Sequence, residues 1–203
     1  MILELGIAIA ICILSYFIGC FSTARLLARS FRHLNVYKVG TGLADIPNIF
    51  SNISKTLGIS AGVIDTGKMF IYISLIKIIT SLFSLEIIGS NEIIFIFGFF
   101  MLAGHCLPLT HNFKGGRGIF TYTGLILVFI PWIMLGILVV ALLLLLIFKQ
   151  FRFAQYIIVL GPPVFCFFLP NSIIADDLVL LMTITAILMG ILNFLVSKRL
   201  GEI

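Results

Sequence analysis

The chain has 203 residues, 61% of them hydrophobic and 10% charged, against roughly 25% charged in an ordinary soluble domain. A compact soluble fold of this length leaves about a third of its extended-chain surface in water. It cannot hide this much apolar side chain, so a soluble domain and a disordered chain are both excluded. The net charge is +5, from 13 Lys and Arg against 8 Asp and Glu. So small an excess in so apolar a chain reads as cytoplasmic loops facing anionic lipid, not as a nucleic-acid surface.

A bilayer span takes about 20 mostly apolar residues. The first apolar run covers residues 2–22. The charge ahead of Arg25 is Glu4 alone, so the run lacks the basic n-region of a cleavable signal and is expected to remain as a span. A polar, basic stretch, 25–55, follows and reads as a long loop. Further apolar runs cover 62–83 and 92–108, and a Gly-rich loop comes next. The run 119–148 is 30 residues long, too long for one ordinary helix. Pro131 and Trp132 divide it, because proline breaks a helix and tryptophan favours the interface. The last runs are 153–170 and 178–196. The expected architecture is an all-α integral membrane protein with seven transmembrane helices, a single polytopic domain over 1–203.

Charge tests that count independently. With seven spans the inner segments are 25–55, 111–117, 149–152 and the C-terminal tail. They hold Arg25, Arg29, Arg32, Lys38, Lys55, Lys114, Arg117, Lys149, Arg152, Lys198 and Arg199. The outer segments are the N-terminus, 84–92, the turn at 131 and 171–177. They hold no Lys or Arg but carry Glu4, Glu86, Glu92, Asp176 and Asp177. The positive-inside rule then places the N-terminus outside and the C-terminus in the cytoplasm. Six spans would put Lys149 and Arg152 outside. Within the spans lie Lys68 and Lys77, and Lys77 is expected to snorkel outward.

Cys12, Cys20, Cys106 and Cys166 are scattered and form no CxxC pair, so no disulfide framework or zinc ribbon is expected. His105, Cys106 and His111 have no carboxylate or second cysteine beside them to complete a metal site, and no metal or cofactor is expected.

The densest polar feature is Gly104-His105-Cys106-Leu107-Pro108 followed by Phe113-Lys114-Gly115-Gly116-Arg117-Gly118. Three glycines with a lysine and an arginine suit an anion cradle, since glycine lets backbone N–H groups converge on an oxyanion. The helix starting near Ile119 would add its partial positive charge. A flexible turn carrying positive-inside residues fits the composition equally. The loop lacks the GxxxxGK[ST] spacing of a P-loop. Gly40-Thr41-Gly42, near Lys38 and Asn48, is by itself an ordinary turn. Asp65 and Lys68 stand three residues apart on one helix face and form at least a structural ion pair. An HxxxxD pair is absent, since Thr110 and Gly116 occupy the aspartate places, and there is no GxSxG elbow. Nothing here looks like a covalent nucleophile; the site reads as one that binds phosphates and positions reactants.

In this order, these residues resemble the bacterial integral-membrane acyl-phosphate:glycerol-3-phosphate acyltransferases, the PlsY family. The segment GHCLPLTHNFKGGRGIFT follows the family's GHxxPxxxxFKGGKGxxT almost position for position. Gly19-Cys20-Phe21-Ser22-Thr23 resembles its early G-S-x-x-[ST], and Asp65-Thr66-Gly67-Lys68 its DxxKG, with Met69 for the final glycine. Other motifs diverge. Against DIRxxGSGNxGATN the chain has NVYKVGTGLADIPN: Gly40, Gly42 and Asn48 match and Thr41 keeps a hydroxyl, while Tyr37, Leu43, Asp45 and Pro47 replace Arg, Asn, Gly and Thr. Against RYxSxxS it keeps Arg152 but has Gln155 and Ile158. Against HxxN it keeps Asn193 with Gly190 in the histidine place.

The resemblance implies direct transfer of a fatty acyl group from an acyl phosphate to the sn-1 hydroxyl of glycerol 3-phosphate, giving lysophosphatidic acid and inorganic phosphate. The protein would be a multi-pass monomer of the bacterial plasma membrane, with membrane lipid as its surroundings and no nucleic-acid partner. The resemblance gives catalysis to His105, Lys114 and Arg117. It gives substrate binding to Lys38, Gly40, Thr41, Gly42, Asn48, Asp65, Lys68, Gly115, Gly116, Gly118 and Arg152. Two phosphates bring up to about four negative charges, and Lys38, Lys68, Lys114, Arg117 and Arg152 are expected to converge on them. Asp45 would either repel those phosphates or turn away onto Lys38 or Arg152. The divergent motifs leave two alternatives: a relative that acylates another polar acceptor, and a non-catalytic homologue or small transporter.

The charge pattern predicts the outcome of cysteine labelling in intact cells. A membrane-impermeant reagent should modify a single cysteine introduced at Asn171 and spare one at Gln150; the reverse pattern would overturn the orientation.

Overall fold

The computed structural model describes residues 2–170 and 174–199. Asn171, within the expected outer segment 171–177, lies outside them. The described residues form nine α-helices and no strand: α1 (Ile2–Gly19), α2 (Thr23–Arg32), α3 (Ile46–Asn52), α4 (Lys55–Leu82), α5 (Asn91–Cys106), α6 (Ile119–Phe129), α7 (Pro131–Phe148), α8 (Phe151–Phe167) and α9 (Asp176–Arg199). Single 3₁₀ turns stand at Val36–Lys38 and Leu109–His111.

Seven of these are the expected apolar helices. Five are long and apolar enough to cross a bilayer, while α6 and α8 are shorter apolar helices. With 11 residues, α6 measures roughly 16 Å at 1.5 Å per residue, against about 30 Å of hydrocarbon. Its shortness has two causes. The chain before it is drawn into the bundle as a loop, and Pro131 breaks the helix after it, with Ile130 non-helical at φ −136°, ψ 61° and α7 beginning at the proline. Seven of the 11 residues of α6 are buried, so it sits among other helices.

The stretch 25–55 is not the long loop expected from its polarity. α2 is amphipathic: Ala24, Leu27 and Ala28 are buried, while Arg29 and Arg32 face outward. Ser22 caps its start by accepting from Arg25 N, and His33 in the left-handed region closes its end. α4 begins seven residues before the expected 62 because Ser54 caps it, accepting from Leu57 N at 3.5 Å. Such caps satisfy amide groups that a helix start leaves unpaired.

Two glycines let α1 and α5 cross closely. A Cβ on Gly19 would meet Met101 O, and one on Gly104 would meet Tyr16 O. Small residues at a crossing are how helices approach within a bilayer, where apolar burial alone drives little association. Behind the crossing lies the main core, with Phe95, Phe97, Met101, Tyr122, Leu125, Ile126 and Met134 almost fully buried. Lys77 does not simply snorkel: it is exposed, but its ammonium lies 5.5 Å from the centroid of the Phe129 ring, within cation–π reach.

The crossing generates a stability prediction. Gly104→Val forces α1 and α5 apart and should lower the midpoint of thermal unfolding in detergent by several degrees, since overpacking costs about 1–3 kcal/mol. Gly136→Val is the control, because a Cβ there meets nothing within 4 Å. Equal midpoints for the two variants would show that the crossing is not tight.

Candidate active site

The Gly-rich loop is held from three sides. From α1, the Tyr16 hydroxyl donates to Leu107 O at 2.7 Å and accepts from Leu109 N at 3.1 Å, fixing the chain as it leaves α5. Asn112 and Phe113 take left-handed conformations and turn the chain back, with Phe113 N bonded to Pro108 O. Gly115 to Gly118 are then buried against the end of α5. Gly116 N donates to His105 O at 3.3 Å. Gly118, at φ +75°, has no room for a side chain, since a Cβ would meet Cys106 Sγ.

The third side is the stretch before α3. Tyr37 stacks on His111, with ring centroids 6.3 Å apart, and its hydroxyl donates to Lys114 O at 3.1 Å. Burial pushes the Tyr37 phenol up, against a smaller opposing pull from Arg25, so it remains a donor. Desolvation, with Arg25 adding to it, pushes the His111 imidazole down and favours its neutral form. Asn48 organises the turn from within. Its Oδ1 accepts from Thr41 N at 3.1 Å, and its Nδ2 donates to Leu43 O at 2.8 Å and Val39 O at 3.1 Å. Asp45 caps α3, its Oδ1 accepting from Asn48 N at 3.0 Å. Its Oδ2 lies 3.5 Å from Arg117 Nε, and Asp45 is 5% and Arg117 8% exposed. Asp45 was expected either to repel bound phosphates or to turn away onto Lys38 or Arg152; the structure sets it beside the arginine of the Gly-rich loop.

Two clefts open on either side of this loop. One, of about 170 Å³, is lined by Tyr37, Thr41, Gly42, Lys114, Gly115 and Gly116, with Leu192 and Val196 of α9 opposite. It shares Cys106, Leu107 and Leu192 with an apolar slot of about 230 Å³ between α5 and α9. The other cleft, of about 190 Å³, is lined by Arg117 together with Arg152, Gln155 and Tyr156 of α8 and Gly190, Asn193 and Ser197 of α9. The loop is a partition: Gly116 faces the first cleft and Arg117, the next residue, the second. The Asn193 side-chain oxygen is buried there without a hydrogen-bond partner.

A separate polar layer lies along α4. Asp65 is fully buried; Thr23 Oγ1 donates to its Oδ1 at 2.7 Å, and Lys68 Nζ stands 3.4 Å from the same oxygen. Lys68 also donates to Phe21 O at 2.9 Å, so the expected ion pair joins α4 to the start of α2. His105 is buried with its Nε2 toward Gly116: a Cβ on that glycine would lie 3.0 Å away.

The five expected cations therefore do not meet at one point. Arg117 and Arg152 share one cleft, Lys114 lines the other, Lys68 is tied to Asp65, and Lys38 in the turn Val36–Lys38 lines neither cleft. Thr41, Gly42, Gly115 and Gly116 fall with Lys114. Gly40 and Asn48 shape the turn behind it, and Gly118 is the hinge into α6. Gln155 and Gly190, which replace a serine and a histidine of the motif pattern, both line the Arg117 cleft. Sequence reasoning missed Tyr16, which carries no motif of its own, and the joining role of Tyr37, which it saw as a replacement for arginine in a divergent motif; both lie far from the loop in the chain.

The family model described as Glycerol-3-phosphate acyltransferase matches residues 9–199. The glycerol-3-phosphate acyltransferase of Mycoplasma capricolum subsp. capricolum is 29% identical over 124 residues, 61% of this chain and 47% of that protein. That of Streptococcus pyogenes serotype M5 is 28% identical over 167 residues, 78% of this chain and 74% of that protein. The chain thus matches about half the length of the first relative and about three quarters of the second. Among solved structures, the glycerol 3-phosphate form of PlsY (YgiH), an integral membrane glycerol 3-phosphate acyltransferase, has a TM-score of 0.76 at 21% identity, covering 95% of this chain and 88% of that one. The lysophosphatidic acid form of that protein has a TM-score of 0.71 at the same identity and coverage. At this identity the likeness establishes the fold, and the family match over nearly the whole chain establishes the family: the chain belongs to the glycerol-3-phosphate acyltransferase family.

Proposed function

We propose that this chain transfers a fatty acyl group from an acyl phosphate to the sn-1 hydroxyl of glycerol 3-phosphate, giving lysophosphatidic acid and inorganic phosphate. It does so at the inner face of a bacterial plasma membrane, with seven spans and an outer N-terminus. The observation that carries this reading is the buried loop with a cation and a cleft on each side. The donor phosphate lies against Lys114, Gly115 and Gly116, and its acyl chain enters the slot between α5 and α9. Glycerol 3-phosphate lies in the other cleft, its phosphate near Arg117 and Arg152 and a hydroxyl donating to Asn193 Oδ1.

Two substrates held on either side of one partition need no covalent enzyme intermediate. The hydroxyl oxygen attacks the acyl carbonyl, the new ester C–O bond forms, and the bond from the acyl carbon to the phosphate oxygen breaks. The electron pair leaves with the phosphate, which also takes the hydroxyl proton. With so good a leaving group, orientation and charge stabilisation supply the catalysis. His105 acts as a positioning residue, holding Gly116 through its carbonyl. The open space at Gly190, where a Cβ meets nothing within 4 Å, favours a second reading in which a bulkier polar acceptor enters the same cleft.

Purified protein given palmitoyl phosphate and labelled glycerol 3-phosphate should form labelled lysophosphatidic acid with one inorganic phosphate per lysolipid. Product from palmitoyl-CoA alone would overturn the donor, and no product from either would overturn the reading. Lys114→Ala should raise KM mainly for the acyl phosphate and Arg117→Ala mainly for glycerol 3-phosphate. Each change should lower kcat/KM by roughly tenfold to a hundredfold, the scale of one charge-assisted hydrogen bond. Equal effects on both substrates would remove the division of the site into two clefts.

A further inference from the structure

Arg117 reaches the acceptor cleft with a carboxylate already beside it. Asp45 Oδ2 stands 3.5 Å from Arg117 Nε, and both side chains are buried. In that setting the pair screens itself: an anion entering the cleft meets the attraction of the guanidinium and the repulsion of a carboxylate a few ångströms behind it. Neither term is weakened much by salt, because mobile ions do not reach buried charges as they reach exposed ones.

The carboxylate is also fixed in place. Its other oxygen caps α3 through Asn48 N at 3.0 Å. Asn48 is in turn locked to Thr41, Leu43 and Val39, and a Cβ on Gly116 would lie 3.5 Å from the Asp45 Cβ. Swinging Asp45 away would break the cap and disturb the turn that lines the donor cleft. The arriving phosphate therefore cannot displace it and must share Arg117 with it.

We infer that Asp45 is a specificity-determining residue of the acceptor site, a built-in counter-anion that weakens the cleft's hold on a doubly charged phosphate. This rests on the reading that the Arg117 cleft takes the phosphorylated acceptor. The product carries the same phosphate, so Asp45 weakens its hold too and favours its release. The consequence is a high KM for glycerol 3-phosphate, with the acyl phosphate on the other side of the loop affected less.

Asp45→Asn separates charge from structure, because asparagine caps a helix as well as aspartate does. Calorimetric titration of glycerol 3-phosphate, and separately of inorganic phosphate, into the purified full chain should show at least tenfold tighter binding to D45N than to the unaltered protein. Asp45→Glu, which keeps the charge, should bind more weakly than D45N. In the acyl-transfer assay, D45N should lower KM for glycerol 3-phosphate by a similar factor and leave KM for palmitoyl phosphate within about twofold. Binding to D45N that is equal or weaker would overturn the inference and leave Asp45 as a residue that merely orients Arg117. If D45N does not fold, Asp45→Ser, which also caps, carries the same comparison. The two failures are distinct. An unaltered protein that makes no lysolipid while D45N binds more tightly would sink the proposed reaction alone. Activity in the unaltered protein with unchanged affinity in D45N would sink this inference alone.

Discussion

A loop buried inside a helix bundle must find partners for its peptide groups within the protein. Residues 115–118 are such a loop, and the surrounding structure can be read as the means of holding it there. The carbonyl of His105 takes the Gly116 amide, Tyr16 holds the strand of chain that leads in, and Tyr37 holds the Lys114 carbonyl. The close crossing of α1 and α5 brings Tyr16 within reach, and the turn organised by Asn48 brings Tyr37. Shortening α6 to 11 residues leaves the depth the loop occupies. Once seated, the loop divides the polar region around it into two clefts, and neighbouring residues of one backbone line one each.

Much of this was legible in the sequence. Apolar runs separated by basic and acidic segments located the seven apolar helices, and Pro131 marked the break between α6 and α7. The spacing of Asp65 and Lys68 on one helix face gave their ion pair. Gly104 through Gly118 stood out by composition alone. Other features were hidden for physical reasons. α2 carries its arginines on one face, so total polarity suggested a loop where the period-3.6 pattern of Ala24, Leu27 and Ala28 marks a buried helix stripe. The glycines suggested amides converging on an anion, yet the Gly116 amide is taken by His105 O. The ion pair of Asp45 with Arg117 spans 72 positions of chain, and no local pattern announces such a contact. Asn48 matched a motif as a binding residue, and its side chain proves to organise the turn.

The departures from the family pattern border both clefts. Gln155 and Gly190 line the cleft that Arg117 enters, and Asp45 stands behind that arginine. Tyr37 and Leu43 line the other cleft, beside Lys114, Gly115 and Gly116, which match the motif. Divergence thus changes charge, volume and hydrogen-bonding character around the loop while leaving the partition intact.

The central claim is that the loop holds both substrates at once, one in each cleft, and that the acyl group passes directly between them. Initial-rate kinetics with palmitoyl phosphate and glycerol 3-phosphate both varied test it most directly. Simultaneous occupancy predicts double-reciprocal lines that intersect, with inorganic phosphate released only when the acceptor is present. Parallel lines, with a burst of phosphate from the donor alone, would show a covalent acyl-enzyme and contradict the account.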